Sequence, residues 1–301
     1  MRNILITGGT GFIGKQLCHH LSEQGFTLTV LSRQNPETIR STLPPNTRII
    51  NSLSKISASE SIAGIINLAG EPIADKRWSE TRKALIKESR IATTQKIISL
   101  MQRLSEKPDF FISGSAAGYY GDQKNQSVDE NTPPVSGFTH DLCAEWEQTA
   151  QQAAELGIRT CILRTGLVVG KSGGFLSKML PPFKFGMGGP MGPGTQWMPW
   201  IHQNDITSII LWLISNPNTR GIYNLTAPHP VTNQEFARCL GKVLRRPAIL
   251  PIPEFILRLI FGEMAILFLE GQKATPHNLL QQGYVFEFEY LEDALNDATR
   301  N

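Results

Sequence analysis

The chain has 301 residues, a formal net charge of +3, and 41% hydrophobic and 18% charged residues, as expected for a folded protein of enzyme size. Lys and Arg are scattered among Asp and Glu and form no basic stripe, so we expect no nucleic-acid partner. The four cysteines lie far apart without a C-x-x-C pair. This spacing disfavours a disulfide framework or a metal centre.

The N-terminal residues predict a buried strand and no targeting segment. Residues 3–7 form an apolar run that is too short for a signal peptide before the glycines begin. The later apolar segment 255–269 contains Arg258 and Glu263 and is shorter than the ~20 residues that cross a bilayer. We therefore expect a cytoplasmic protein without a membrane partner, in which 255–269 is a buried or partner-facing helix.

Strand and helix patterns alternate along the first half of the chain. Apolar runs predict strands at 3–7, 28–31, 63–69, 109–113 and 159–164. Helical spacing follows the first glycines and recurs at 79–103 and 141–156. Alternation of this kind predicts an α/β fold with a Rossmann-type, doubly wound parallel sheet.

The composition changes after residue 170. Glycines and prolines at 186–194 predict a mobile loop over 170–200, sited where an enzyme covers its substrate, with an incidental surface loop as the alternative. Helical patterns at 233–243 and 254–270 predict a small, mainly helical C-terminal subdomain. We accordingly divide the chain into a nucleotide-binding domain, 1–228, which includes loop 170–200, and a substrate-side subdomain, 229–301.

A glycine-rich turn follows the first strand and opens the first helix. Its spacing is G-x-x-G-x-x-G, which lets bare backbone approach a pyrophosphate while the helix N-terminus supplies free N–H groups. The sequence therefore predicts a dinucleotide site. The residues of this turn assigned to the cofactor are Gly8, Thr10, Gly11, Phe12, Ile13 and Gly14.

Ser32 and Arg33 end the second strand, where NAD-selective proteins place an acidic residue against the ribose hydroxyl. A hydroxyl and a guanidinium can instead bind a 2'-phosphate, so we predict NADP(H) as cofactor, against the alternative that Arg33 only faces solvent. Small residues after the strand at 63–69 allow close approach of the nicotinamide half. The residues assigned to the cofactor there are Asn67, Leu68, Ala69, Gly70, Glu71 and Arg77.

The chain resembles the short-chain dehydrogenase/reductase superfamily, in its extended, nucleotide-sugar-epimerase-like branch. The motifs that carry the resemblance are residues 8–14, 67–70, 113–115 with 119–121, 164–170 and 200–205. Residues 71–72, 77–78, 89–90 and 223–228 resemble a narrower group of uncharacterised epimerase-family proteins with a C-terminal domain of unknown function.

In typical members of the superfamily, a Tyr and a Lys four residues later share one helix face and exchange the proton. The matching positions here are Thr139 and Cys143. A Thr hydroxyl does not ionise near neutrality, and an unperturbed thiol is mostly neutral. The resemblance further implies that Ser115 bonds a substrate oxygen and that Arg90, where the family has Asn, supplies a fixed charge near the nicotinamide.

The proton carrier stays open at this point, since Tyr119, Tyr120, His140, Asp141, Cys143 and His202 all lie in segments near the expected cleft. Cys143 is a thiolate only if a nearby cation lowers its pKa, and a buried thiol is the commoner case. We assign no metal ligands. The catalytic candidates are Ser115, Tyr119, Cys143, Arg90 and His202.

The leading hypothesis is an NADP(H)-binding oxidoreductase or nucleotide-sugar-epimerase-like enzyme that acts on a polar small metabolite, with a nucleotide sugar as one candidate. The second is a catalytically weak or inactive NADP(H) sensor or scaffold. A third is a nucleotide-sugar binder without redox chemistry, in which Lys178, Lys184 and Arg238 face a diphosphate. The helices at 79–103 and 141–156 also suit a homodimer interface, although packing on the sheet explains their apolar faces equally well.

Overall fold

A computed structural model describes residues 2–171 and 173–300 of the chain. Each of the five apolar runs that predicted a strand forms one in the structure. The strands, in chain order, are β1 (Asn3–Thr7), β2 (Thr27–Leu31), β3 (Arg48–Ile50), β4 (Gly64–Asn67), β5 (Phe110–Ala116), β6 (Ser127–Val128), β7 (Arg159–Thr165), β8 (Leu167–Val169), β9 (Trp197–Met198), β10 (Trp200–His202), β11 (Gly221–Leu225), β12 (Val231–Thr232) and β13 (Lys273–Ala274).

Seven of these strands form one parallel sheet in the order β3-β2-β1-β4-β5-β7-β11. The chain runs outward from β1 to β3, then returns to β4 and runs to the opposite edge. The α/β, doubly wound prediction is confirmed. Ligands of such sheets bind beyond the carboxyl ends of the strands, at the point where the order reverses, which here lies between β1 and β4.

The helices are α1 (Phe12–Glu23), α2 (Pro36–Ile39), α3 (Glu80–Arg103), α4 (Phe138–Glu155), α5 (Gly174–Lys184), α6 (Gln203–Ser215), α7 (Asn233–Leu244), α8 (Glu254–Phe261), α9 (Ile266–Leu269), α10 (His277–Gln281) and α11 (Leu291–Thr299). Successive strand residues face opposite sides of the sheet. Ile4 and Ile6 therefore pack with α1 and α6, whereas Leu5 packs with α3 and α4.

The segment predicted as a loop, 170–200, contains helix α5, so that part of the prediction is wrong. The helix carries Pro181 and Pro182 in its interior, which local propensity disfavours. Its buried residues Leu176, Met179 and Phe183 pack in one cluster with residues of α7 and α11. Tertiary packing thus outweighs the local composition, and the irregular glycine-rich stretch is confined to the residues after α5.

The helix predicted at 254–270 is broken in the structure. A 3-10 turn, Gly262–Ala265, separates α8 from α9, and Gly262 adopts a positive φ of 59° that suits glycine. The break places Met264 in a cluster with Trp78, Ile86 and Leu142. The C-terminal part thereby covers the edge of the sheet where β4 and β5 end.

Candidate functional site

The glycine turn between β1 and α1 allows a ligand to come close to its backbone. Gly8 has a φ of 73°, and a Cβ on Gly14 would lie 2.1 Å from the Gly8 carbonyl oxygen. A Cβ on Gly11 would meet only that same oxygen, at 3.2 Å, so the remaining space beside Gly11 is open. No side chain caps α1, and no acidic residue lies in its first turn. The amides there can bind a pyrophosphate.

A cavity of about 810 Å³, the outer cavity, extends from this turn along the ends of β1, β2 and β4. Ser32 and Arg33 line it at the end of β2, and Lys96 on α3 lines the opposite wall. The Ser32 hydroxyl oxygen accepts a hydrogen bond from the Gln34 amide at 3.2 Å. The Arg33 side chain is 84% exposed and lies 3.7 Å from a Glu71 oxygen. The rim is therefore positively charged and open.

Glu71 lies between two guanidinium groups. Its carboxylate accepts a hydrogen bond from Arg82 at 2.9 Å and lies near Arg33. The hydrogen bond from Arg82 holds the pKa of Glu71 below its ordinary value. Glu71 thus lies beside Arg33 without itself lining the outer cavity. Arg77 packs against Gly262 at the turn after α8 and does not line the outer cavity either.

Asn67 is fully buried at the end of β4. Its amide oxygen accepts a hydrogen bond from the Thr7 hydroxyl at 2.6 Å, and its amide nitrogen donates to Thr94 at 2.9 Å. These bonds join β1, β4 and α3. They fix the path of Leu68, Ala69 and Gly70, which line the outer cavity.

A second cavity of about 350 Å³, the inner cavity, lies beyond the ends of β4, β5 and β7. Leu68 lines both cavities, so they meet there. Four polar residues discussed from the sequence line the inner cavity together, although they come from three different elements: Arg90, Ser115, Thr139 and Cys143.

Ser115 belongs to a buried ionic network. Its hydroxyl donates to Glu147 at 2.6 Å, and Arg164 donates to the same carboxylate through two nitrogens at 2.9 and 2.8 Å. Sequence reasoning missed Glu147. A usable signal existed, because Glu147 follows Thr139 and Cys143 at spacings of eight and four residues and so shares their helix face.

Burial disfavours the thiolate form of Cys143. The thiol is buried, and desolvation raises its pKa to about 11. Arg90 is held by the carbonyls of Glu71 and Ile86, each 3.0 Å from Nη1, and lies over the Trp146 ring. A Cβ on Gly70 would lie 2.9 Å from its guanidinium carbon, so Arg90 stands where the two cavities meet.

The structure does not bring Tyr119 and His202 to the inner cavity. The Tyr119 ring lies under the guanidinium of Arg164, 3.4 Å from its carbon. His202 is the N-cap of α6, accepts a hydrogen bond from the Asn204 amide, and packs on Phe288. Its buried ring has a pKa lowered to about 4 by desolvation. Both residues therefore support the fold at a distance from the lining.

Within residues 2–171 and 173–300, no helix has the length and apolar character needed to cross a bilayer. Over the same residues, His, Cys, Asp and Glu form no group of three or more that could hold a metal ion.

Two family models match the chain. The model of the NAD dependent epimerase/dehydratase family matches residues 4–226, and a domain of unknown function (DUF1731) matches residues 252–298. The first match covers well over half of the sequence. The chain therefore belongs to the NAD-dependent epimerase/dehydratase family, and the resemblance stated from its motifs is confirmed.

Named relatives match along nearly the whole chain. The chloroplastic SDR39U1 homolog of Arabidopsis thaliana is 37% identical over 97% of this chain and 85% of its own. Epimerase family protein YfhF of Bacillus subtilis is 37% identical over 98% and 97%. The crystal structure of human epimerase family protein SDR39U1 (isoform 2) with NADPH has a TM-score of 0.88 and 33% identity, covering 98% of both chains.

Proposed function

We propose that this chain is an NADP(H)-dependent oxidoreductase that acts on a small molecule held beside the nicotinamide. The observation that carries the proposal is that two cavities meet at Leu68, beyond the carboxyl ends of the central strands. The outer cavity fits the pyrophosphate and the adenosine part of the cofactor, because the glycine turn leaves open space beside Gly11. A relative that was crystallised with NADPH supports this choice of cofactor.

A bound nicotinamide would exchange a hydride with the substrate. The residues of this chain orient the two partners. Arg90 would fix the end of the nicotinamide against Gly70, and Ser115 would bind a substrate oxygen. Cys143 keeps its proton at neutral pH, because burial raises its pKa, and would therefore lie beside the substrate as a neutral thiol.

The preference for NADP(H) is proposed to depend on Arg33. We expect Arg33→Ala to weaken NADPH binding by about 10- to 30-fold, a loss of ~1.4–2 kcal/mol, because a charged hydrogen bond to the 2'-phosphate disappears. NADH binding should change little. Calorimetric titration of both cofactors measures the difference. Arg40→Ala, an exposed Arg on the turn after α2, is the matched control, and an unchanged NADPH affinity in Arg33→Ala would remove the assignment.

An NADP(H) sensor without turnover is the second candidate function. Thr139 and Cys143 occupy the positions of the proton-exchanging pair, and the Cys143 thiol is buried. Both observations favour weak catalysis. This candidate uses the same outer cavity but needs no substrate in the inner one.

A turnover assay separates the two candidates. Purified protein is incubated with NADPH and a panel of ketones, aldehydes and sugar nucleotides, and cofactor oxidation is followed by absorbance. Oxidation that depends on one compound and falls in Ser115→Ala supports the oxidoreductase. Tight NADPH binding without oxidation by any compound supports the sensor.

A further inference from the structure

The inner cavity is small and mostly apolar. Its volume of about 350 Å³ lies near the lower end of the ~300–1,000 Å³ typical of ligand pockets. Its apolar walls include Leu142, Trp146, Leu167, Phe175 and Phe268. A cavity of this size and character suits a compact, largely apolar molecule.

The described lining contains a single cation, Arg90, and a single anion, Glu270. Arg90 already donates to two backbone carbonyls at the junction with the outer cavity. Two further cations lie near Glu270 but are engaged: Lys124 pairs with Asp122, and Arg258 donates a hydrogen bond to Glu254. A diphosphate would therefore enter without a free partner charge.

Residues 266–272 form one wall of the inner cavity, here called the roof, and hydrogen bonds join it to the rest of the protein. Gln196 donates to the carbonyls of Phe268 and Met191 at 2.6 and 2.8 Å, and Gln272 donates to the Gly121 carbonyl at 2.7 Å. A Cβ on Gly271 would lie 1.9 Å from the Trp197 carbonyl oxygen. The roof consequently lies directly on β9, and this contact closes the cavity on that side.

Ser115 faces the ligand as a hydrogen-bond acceptor. Its proton is donated to the Glu147 carboxylate, because an ionised carboxylate can only accept a hydrogen bond. The remaining lone pairs of the Ser115 oxygen therefore suit a donor such as an alcohol hydroxyl, the group that an NADP(H)-dependent oxidoreductase interconverts with a carbonyl.

We infer that the inner cavity takes a compact, largely apolar, phosphate-free alcohol, whose hydroxyl donates to Ser115, and that a nucleotide sugar does not fit. This inference rests on the proposed function, because it concerns the substrate end of the same site.

The test uses the full chain saturated with NADPH, with cyclohexanol and UDP-glucose as probes in ligand-observed NMR and calorimetry. Cyclohexanol is expected to bind in the millimolar range, Ser115→Ala to weaken it at least 10-fold, and UDP-glucose to show no binding. Ser113→Ala is the matched control: this serine is buried on the same strand but does not line the cavity.

Binding of UDP-glucose to the NADPH complex, absence of cyclohexanol binding, or equal binding by Ser115→Ala would overturn the inference. Failure of the proposed function is distinguishable from failure of this inference. If the proposed function is wrong, NADPH itself does not bind in the calorimetric titration of the wild-type protein. A thermal melt of Ser115→Ala shows whether the variant is folded. Where it is not, Ser115→Cys, which keeps the shape but weakens the acceptor, replaces it.

Discussion

Gly11→Ala is expected to weaken NADPH binding by about 10- to 100-fold, or ~1.4–2.8 kcal/mol, with little loss of stability. Gly11 has a φ of −80°, which alanine adopts without strain. An added methyl group would touch the protein only at the Gly8 carbonyl oxygen, at 3.2 Å. The rest of that methyl group would occupy the space into which a pyrophosphate must come. Calorimetry with NADPH and a thermal melt measure the two quantities.

Gly14→Ala is the matched comparison on the same turn. Its methyl group would lie 2.1 Å from the Gly8 oxygen and 2.7 Å from the Gly9 Cα, both backbone atoms. Relief of that contact requires α1 to move away from β1, at a cost of about 3 kcal/mol or more. We expect Gly14→Ala to lose both stability and binding. If Gly11→Ala instead bound NADPH like wild type, the phosphate would not lie against this turn.

The sheet could be predicted because its determinants are local. Residues 3–7 have an apolar centre and are followed directly by glycines, and the structure gives β1 those same bounds. Helix α5 could not be predicted in this way. Its glycine start and Pro181 and Pro182 argue against a helix. It is stabilised by Leu176 and Phe183, which pack on the distant helices α7 and α11.

Part of the candidate site could likewise be predicted from the sequence, and part could not. The glycine turn and Arg33 follow one strand each, so the spacing of the sequence places them. The group of Ser115, Glu147 and Arg164 comes from β5, α4 and β7, and a pattern in one segment does not reveal a partner in another. The positions of Arg77 and His202 depend on the C-terminal part, against which both side chains pack. The sequence motifs that contain these two residues indicated the family but did not determine the direction of their side chains.

Glu147→Ala is expected to lower the free energy of unfolding by about 3–5 kcal/mol, since it leaves the Arg164 guanidinium buried without its carboxylate. The side chains of the pair are only 6% and 2% exposed. Denaturant unfolding with a constant m-value measures the loss. The exposed pair Arg258–Glu254 is the control, and Glu254→Ala should cost at most ~1 kcal/mol.

A double-mutant cycle separates the ion pair from simple packing. Arg164→Met removes the charge that Glu147→Ala would strand, so the double variant should lose clearly less stability than the sum of the two single variants. Additive losses would mean that the carboxylate and the guanidinium stabilise the fold independently. In that case Glu147 would still hold the Ser115 proton, and the charge of Arg164 would act chiefly on the rings of Tyr119 and Tyr120, which lie 3.4 and 4.8 Å from it.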